Sequence, residues 1–237
     1  MTERQLIVAA VIPARNEAAT IADVVSSVAP FVDRAYVYDG RSTDRTRELA
    51  AEAGAEVVPD PGRGKGSAIR AAIEDIEADV LVLFDADGSH IAEEIPSLLE
   101  PVLTGEAELV VGSRFAGGSE ELSVTLGQLV RTIGNISMNI AINWRWGVAL
   151  SDTLNGFRVV RRDAVRSVRL REDRHTIEQE MVMKMLAHGY RVVNRPSHEL
   201  ARLHGDSHIR IWREWPIFVW CVLRNIVGWK RGKQVSS

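Results

Sequence analysis

The sequence predicts an α/β protein built on a doubly wound, mostly parallel sheet, and three observations predict it. Apolar runs and amphipathic stretches alternate four times in the first 112 residues, as successive βα units with right-handed crossovers do. The run Val80-Leu81-Val82-Leu83-Phe84 is apolar without interruption, as a strand covered on both faces must be. Pro13, Asp39 and Asp85 stand where three of these runs end, and in such sheets ligands sit beyond the carboxyl ends of the strands.

The elements follow in order. Leu6 to Pro13 is the first strand, and the amphipathic stretch from about Glu17 to Val28 the first helix. Ala35 to Tyr38 is the second strand; Asp44 opens a helix that stops at Gly54. Glu56 to Val58 is a short strand, Ser67 to Ile76 a helix, Val80 to Phe84 a strand, and Ala92 to about Leu103 a helix. Leu109-Val110-Val111 is a fifth strand. Beyond it, Leu126 to about Leu150 is a long helical region interrupted near Gly134 and Gly147. Phe157 to Val160 is a strand, His175 to Ala187 a helix closed by Gly189, and Tyr190 to Val193 a strand. No internal repeat, low-complexity tract or Gly/Ser/Pro-rich linker divides the chain. One continuous domain over residues 1–208 is expected, in two halves that meet at about residue 115, with a helical tail over 209–237.

Composition narrows the function classes. The 237 residues, 46% of them hydrophobic, suffice for a full core. With 29 basic against 32 acidic residues the net charge is −3, which gives no basis for a nucleic-acid partner. The one cysteine, Cys221, excludes an internal disulfide and a cysteine zinc cluster, and fits a reducing, cytoplasmic setting. Met1 to Gln5 lack the basic region and apolar core of a signal peptide, and no run of about 18 uncharged apolar residues occurs. The expectation is a soluble or peripheral protein.

Asp85-Ala86-Asp87 carries the chemistry. In extended geometry residues i and i+2 project to one side, so the two carboxylates repel unless a cation or a shared proton lies between them. Hard oxygen ligands at the carboxyl end of a central strand suit Mg²⁺ or Mn²⁺ holding a diphosphate. A strand-terminal turn with a helix-capping aspartate is the other reading. Gly64-Lys65-Gly66-Ser67 is not a Walker loop, because Pro59 stands where its first glycine belongs and Gly66 where its Ser or Thr belongs. A glycine-flanked lysine at a helix N-terminus suits an anionic partner; a simple flexible turn explains it as well.

Together the motifs resemble the family 2 glycosyltransferases. Val11 to Glu17 looks like their opening strand and turn, and Val37 to Thr46 like their second-strand motif, with Gly40 in place of a usual Asp and Arg41 in place of a usual Gly. Gly64-Lys65-Gly66, Asp85-Ala86-Asp87, Gly112-Ser113-Arg114 and Asp152 to Arg158 follow in the expected order. So do Glu180 before Lys184 and Gly189, and Pro196 to Arg202 with Gly205, Ser207 and His208. The last block points to the branch of dolichol-phosphate mannose synthase and other polyprenyl-phosphate sugar synthases. The resemblance runs from residue 7 to about 210.

The resemblance implies an A-type glycosyltransferase fold and a metal-dependent, inverting transfer from a nucleoside diphosphate sugar. It also implies a nucleotide-binding half to about residue 115 and an acceptor half after it. Pro13, Ala14, Arg15, Glu17, Asp39, Lys65, Asp85 and Ala86 would line the donor site, with Asp39 taking hydrogen bonds from base or ribose. Glu17 reads equally as a first-turn helix residue favoured by the macrodipole. Asp87 would be the principal ligand of Mg²⁺ or Mn²⁺, with Asp85 on ribose or metal. Ser89 stands where the lipid-phosphate branch often has Gln, and its shorter hydroxyl would reach the ion through water. His90 matches a family histidine, or makes a local turn hydrogen bond. Arg114, Arg131, Arg202 and His208 fall where the synthases place cations for the donor diphosphate and acceptor phosphate, work suited to guanidinium forks; histidine does it only when protonated. Asp87, Arg202 and Glu180 are the expected catalytic set. A phosphomonoester acceptor needs no strong base, whereas a hydroxyl needs a carboxylate, for which Glu178 and Glu180 are candidates.

Residues 209–233 carry four of the six tryptophans, interleaved with Arg210, Arg213, Arg224, Lys230, Arg231 and Lys233. Such a segment suits an interfacial helix on an anionic membrane, or a helix packed on the domain or on a second copy in a homodimer. Pro216 belongs in its first turn. Three alternatives to a polyprenyl phosphate synthase stand: transfer to a small soluble acceptor, a nucleotidyltransferase, and an inactive sugar-nucleotide-binding subunit. The second lacks its glycine- and basic-rich turn after strand one, where Ala14 to Ala19 stand.

Overall fold

The structure is a computed structural model that describes residues 6–60, 62–120, 126–201 and 211–227. Its strands are β1 (Val8–Ala14), β2 (Arg34–Asp39), β3 (Glu56–Pro59), β4 (Val80–Leu83), β5 (Leu109–Ser113), β6 (Arg158–Arg161) and β7 (Val192–Pro196). Its α-helices are α1 (Ile21–Val28), α2 (Thr46–Glu52), α3 (Lys65–Asp75), α4 (Ile95–Leu103), α5 (Arg114–Gly117), α6 (Leu126–Trp146), α7 (Arg162–Ser167), α8 (Ile177–Ala187) and α9 (Ile211–Val227).

The strands form one seven-stranded sheet in the order β3-β2-β1-β4-β6-β5-β7. β4 is buried at every position, as its unbroken apolar run requires. Alternation along the strands splits the core in two. Ala9, Val11, Leu81 and Leu83 face one layer, while Val8, Ala10, Ile12, Val80 and Val82 face the other, the period-two consequence of the pleat. β1 pairs in parallel with both β2 and β4, so the chain winds outward from β1 to β3 and then returns to β1's other side. The reversal between β1 and β4 opens a crevice at their carboxyl ends.

The exception to parallel winding is β6, antiparallel to both β4 and β5. Arg158, its first residue, lies opposite Leu83 and Val111. The segment just before β6 is thereby delivered to the carboxyl ends of its neighbours. β7 returns parallel to β5 and sends Ser197 onward to the same edge.

Several boundaries differ from the sequence expectation. The first helix begins at Ile21, because the Glu17 carbonyl closes a turn onto the amides of Thr20 and Ile21. Asp44 does not open α2; its carboxylate accepts from the Thr46 amide and hydroxyl ahead of that helix. Gly134 does not interrupt α6, which runs on to Trp146 and stops at Gly147 with φ +69°. The short helices α5 and α7 carried no periodic signal long enough to read. Pro216 is the sixth residue of α9 rather than a first-turn residue. Cys221 and Val222 of α9 join the core layer that holds Met181 and Leu109, so one face of this segment packs on the rest of the fold. Among the described residues no helix is long and apolar enough to cross a membrane.

Glu180, an expected catalytic residue, is fully buried within this packing. Its Oε2 accepts from the amides of Arg171 and Glu172, each at 2.8 Å, and its Oε1 lies 2.9 Å from Lys184 Nζ. Arg224 of α9 comes within 3.7 Å of Oε1 and 2.6 Å of Glu172. The carboxylate thus clamps the 169–172 loop and α9 onto α8 instead of facing the strand ends. Removing one member of a buried pair leaves the other charge uncompensated, at a cost of about 3–5 kcal/mol. Glu180→Leu is therefore expected to lower unfolding free energy by an amount of that order in chemical denaturation; a change under about 1 kcal/mol would contradict the clamp.

Candidate active site

The site is built at the carboxyl edge from β1, β2 and β4, the loop before β6, and the start of α8. Its first part is a braced double turn. Asn16, in the left-handed region at φ +58°, accepts the Thr43 amide at 2.8 Å. The Asn16 amide donates to Ser42 Oγ, the Glu17 amide to Thr46 Oγ1, and the Ala18 amide to Asp44. These bonds fasten the Pro13–Glu17 turn to the 40–46 loop, so Ser42, Thr43, Asp44 and Thr46 are bracing residues. Pro13 and Ala14 end β1, Arg15 is exposed and Glu17 half-buried. Asp39 ends β2, nearly inaccessible, where it accepts from the Ser42 amide at 3.1 Å and meets Arg47 Nε at 3.7 Å.

Asp60 is a neighbour that the sequence reading missed. A Cβ built on Gly40 would stand 3.4 Å from Asp60 Oδ2 and from the Ala14 carbonyl. A carboxylate from the end of β3 therefore lies against the position where the family usually has its second Asp. Its only signal in the sequence was its place just after the third strand.

Asp85 and Asp87 part company. β4 ends at Leu83, and Ala86-Asp87 form a turn rather than extended chain, so the alternation that would set the carboxylates side by side does not reach them. Asp87 Oδ1 accepts from the amide and hydroxyl of Ser89, at 3.1 and 2.7 Å. Ser89 is buried and holds Asp87 in place. The Ala86 carbonyl accepts from Thr20 Oγ1 at 2.6 Å, which pins the turn to α1.

Asp85 meets a cation instead. Lys65 Nζ, at the start of α3, lies 2.5 Å from Asp85 Oδ1 and 2.6 Å from Glu178 Oε1. Burial favours the neutral lysine, but the two carboxylates outweigh it and raise the pKa. Burial likewise favours neutral Asp85, and Lys65, followed by His90, holds it well below the usual carboxylate range. His90 Nε2 is 3.4 Å from Asp85 Oδ2, and its ring packs between Phe84 and Phe157; no local turn bond holds it. Two glycines make this closeness possible. A Cβ on Gly156 would come within 2.7 Å of Lys65 Nζ, and one on Gly66 within 2.5 Å of the Glu172 carbonyl. The glycines beside the lysine thus serve close approach to residues 172–174, not flexibility.

Beneath lies Arg158, fully buried, donating to the carbonyls of Asn155, Glu178 and Thr153 at 2.8, 2.7 and 3.0 Å. Burial lowers its pKa, and Glu178 and Asp152 oppose the shift. Arg114, expected on phosphate, is committed to carboxylates: Nε and Nη2 bind Asp152 at 2.7 and 3.2 Å, and Nη1 is 3.4 Å from Glu199. Asp152 answers the burial of that guanidinium and, with Glu199, raises its pKa. The Arg131 side chain and the whole of Arg202 and His208 lie outside the described residues. The structure therefore gathers Pro13 to Glu17, Asp39, Lys65, Asp85 to Ser89 and Arg114 at one edge, adds Asp60, Asp152, Arg158 and Glu178, and leaves Glu180 in the α8 clamp.

The ion pair makes a pH prediction. Asp85's depressed pKa favours folding when the group is ionised, so its contribution is full above about pH 4 and disappears as pH falls through the folded value. Lys65's raised pKa keeps the lysine's share up to about pH 10. Wild type and Asp85→Asn are expected to differ in unfolding free energy at neutral pH and to converge in acid. Equal stability at neutral pH would mean that desolvation cancels the pair.

Comparison with known proteins places this geometry. Residues 9–169 match the model of glycosyl transferase family 2. Glycosyltransferase AglJ of Haloferax volcanii is 36% identical over 200 residues, covering 82% of this chain and 63% of AglJ, so the chain spans less than two thirds of that relative. A dolichyl-phosphate hexose transferase of the same organism is 30% identical over 184 residues, covering 76% of this chain and 77% of its own. A crystal structure of glucosyl-3-phosphoglycerate synthase from Mycobacterium tuberculosis, in complex with Mn²⁺, UDP and glucosyl-3-phosphoglycerate, superposes with a TM-score of 0.70 at 22% identity, over 95% of this chain and 81% of that one. That likeness carries the fold, the A-type glycosyltransferase fold. On the strength of the family model, which spans more than half of its residues, the chain belongs to glycosyl transferase family 2.

Proposed function

We propose that the chain moves a sugar from a nucleoside diphosphate sugar to a polyprenyl phosphate, with inversion at the anomeric carbon. The observation that carries this reading is the meeting of Asp39, the Pro13–Glu17 turn and the Asp85–Ser89 turn at the β1/β4 reversal. Base and ribose would lie against Asp39 and the backbone of Pro13, Ala14 and Arg15, with Asp60 closing that side. The diphosphate would run toward Asp87.

A divalent cation fits the donors present. Among the described residues no group of three or more His, Cys, Asp or Glu gathers to hold a metal alone. Mg²⁺ and Mn²⁺ sites of one or two carboxylates completed by substrate phosphates have this composition. Asp87, steadied by Ser89, would be the main ligand, because Asp85 is already neutralised by Lys65. When bound, the ion would offset the charge that builds on the departing nucleoside diphosphate.

In the transfer an acceptor phosphate oxygen forms a bond to the anomeric carbon while the bond from that carbon to the donor phosphate breaks. The electron pair leaves with the nucleoside diphosphate. A phosphate acceptor is already an anion and needs no base. The relative named as a dolichyl-phosphate hexose transferase supports this acceptor, and Arg131, Arg202 and His208 are proposed to receive it. Transfer to a hydroxyl would require a carboxylate base, and of the two candidates on α8 only Glu178 stands at the site. The discriminating experiment is a screen of nucleoside diphosphate sugars with Mg²⁺ or Mn²⁺, with and without a short polyprenyl phosphate, reading diphosphate release.

Two substitutions test the assignment. Asp87→Ala, in a half-buried turn beyond the strand, is expected to lower turnover by about a hundredfold or more with an unchanged melting temperature; near-normal turnover in the presence of chelator would end the metal-assisted reading. Glu178→Gln keeps an acceptor for Lys65, so turnover with polyprenyl phosphate should stay within about tenfold of wild type. A loss of about 10²–10⁴-fold, the scale of a missing general base, would instead favour a hydroxyl acceptor.

A further inference from the structure

The outward face of α6 is apolar and exposed over its described side chains. Ile133, Ile136, Ile140 and Trp144 recur along it at helical spacing, with Ile140 62% and Trp144 82% exposed. On α9, Ile217, Trp220 and Leu223 form a second exposed stripe, Trp220 at 64%. The helices pack against one another, with Arg145 Nε donating to the Ile226 carbonyl at 3.5 Å. Their inward faces are already used, since Met138 and Ile142 of α6 and Cys221 and Val222 of α9 lie in the core. Single apolar residues on a surface need no explanation, but large ones in stripes on two adjoining helices mark an interaction surface.

Charge selects the occupant. The α6 sequence holds Arg131 and Arg145 and no acidic residue; the α9 sequence holds Arg213 and Arg224 against Glu214. Arg224 is already paired with Glu172; the other three basic residues less Glu214 give these helices +2, within a chain whose net charge is −3. A second copy docked face to face would set like charge against like, whereas an anionic lipid surface complements it. Tryptophan rings such as those of Trp144 and Trp220 are suited to the headgroup boundary.

We propose that the paired α6 and α9 stripes seat on an anionic membrane surface, with their apolar side chains in the headgroup boundary. The opposite side of α6 reaches the candidate active site. Asn139 Nδ2 donates to the Ser151 carbonyl at 2.7 Å and Asn143 Nδ2 to the Leu150 carbonyl at 2.8 Å, and the next residue, Asp152, grips Arg114. One helix therefore carries the docking stripe on one face and supports the site's loop on the other. The inference rests on exposed side chains and charge, independently of the transfer chemistry; with a polyprenyl phosphate acceptor it places the site at the surface where that acceptor resides.

The test is co-sedimentation of the full chain with vesicles of phosphatidylglycerol and phosphatidylcholine, and of phosphatidylcholine alone, without donor or acceptor. Wild type is expected to bind the anionic vesicles more tightly, and less so as salt rises. Ile140→Ser/Trp144→Ser should weaken that binding by about tenfold or more with an unchanged melting temperature; if the pair lowers the melting temperature, Trp144→Gln alone is read, with a drop of several-fold. Wild type that ignores anionic vesicles, or variants that bind as wild type does, would overturn the proposal. So would a dimer in sedimentation velocity that the variants dissociate while vesicle binding persists. Because no sugar is present, these outcomes are separate from failure of glycosyl transfer.

Discussion

The candidate site depends on one buried cation shared between distant parts of the chain. Lys65 opens α3, yet its ammonium lies between Asp85, just beyond β4, and Glu178, in the first turn of α8. Burial penalises the charge of Asp85 there, and the ammonium offsets that penalty. The ammonium holds Asp85 anionic and, bridging to Glu178, ties the first half of the sheet to the helical half. Gly66 and Gly156 follow from it, since any side chain at either position would push the lysine's surroundings apart. The repulsion expected within Asp85-Ala86-Asp87 is relieved by a residue twenty positions upstream, while Asp87 turns to the amide and hydroxyl of Ser89.

The antiparallel strand β6 is the second constraint. A fully parallel sheet would deliver only strand ends to the crevice. Reversing β6 brings its beginning there, so that Asp152, Gly156 and Arg158 arrive beside β4 and β5. Arg158 then spends its guanidinium on three backbone carbonyls, fixing the loop and the α8 terminus together without a carboxylate of its own. Burial lowers the pKa of that guanidinium, and the neighbouring Glu178, Asp152 and Asp85 oppose the shift.

Much of this was legible in the sequence, and the failures have physical causes. Strand positions came through because central strands bury both faces and read as apolar runs, as Val80 to Leu83 do. Gly134 misled because propensity says nothing of packing: it is buried in α6, and the helix continues past it. Glu180 was drawn into the catalytic set by its motif, but two residues separate carboxylates on a helix by about 200°. Glu178 therefore points to the strand ends and Glu180 to the 171–172 amides. Arg114 was expected on phosphate from the resemblance; its pairing with Asp152 and Glu199, 38 and 85 residues away, follows from no local pattern. Asp60 was missed for the same reason, its place just after the third strand being its one signal.

The departures at Gly40 and Arg41 gain a meaning from the same geometry. A second Asp at position 40 would put its side chain against Asp60 Oδ2, setting two carboxylates together with Asp39 close by and no lysine to separate them. Glycine at 40 removes that repulsion and leaves the β3 carboxylate as the acid on that side of the pocket. Arg41 takes the left-handed backbone at φ +63° that glycine would adopt more easily, and its guanidinium lies across the Gly62 turn, whose amide donates to Asp60. The change at 40 thus spares the end of β2 a third carboxylate beside Asp39 and Asp60, and the change at 41 lays a guanidinium against the turn that follows β3.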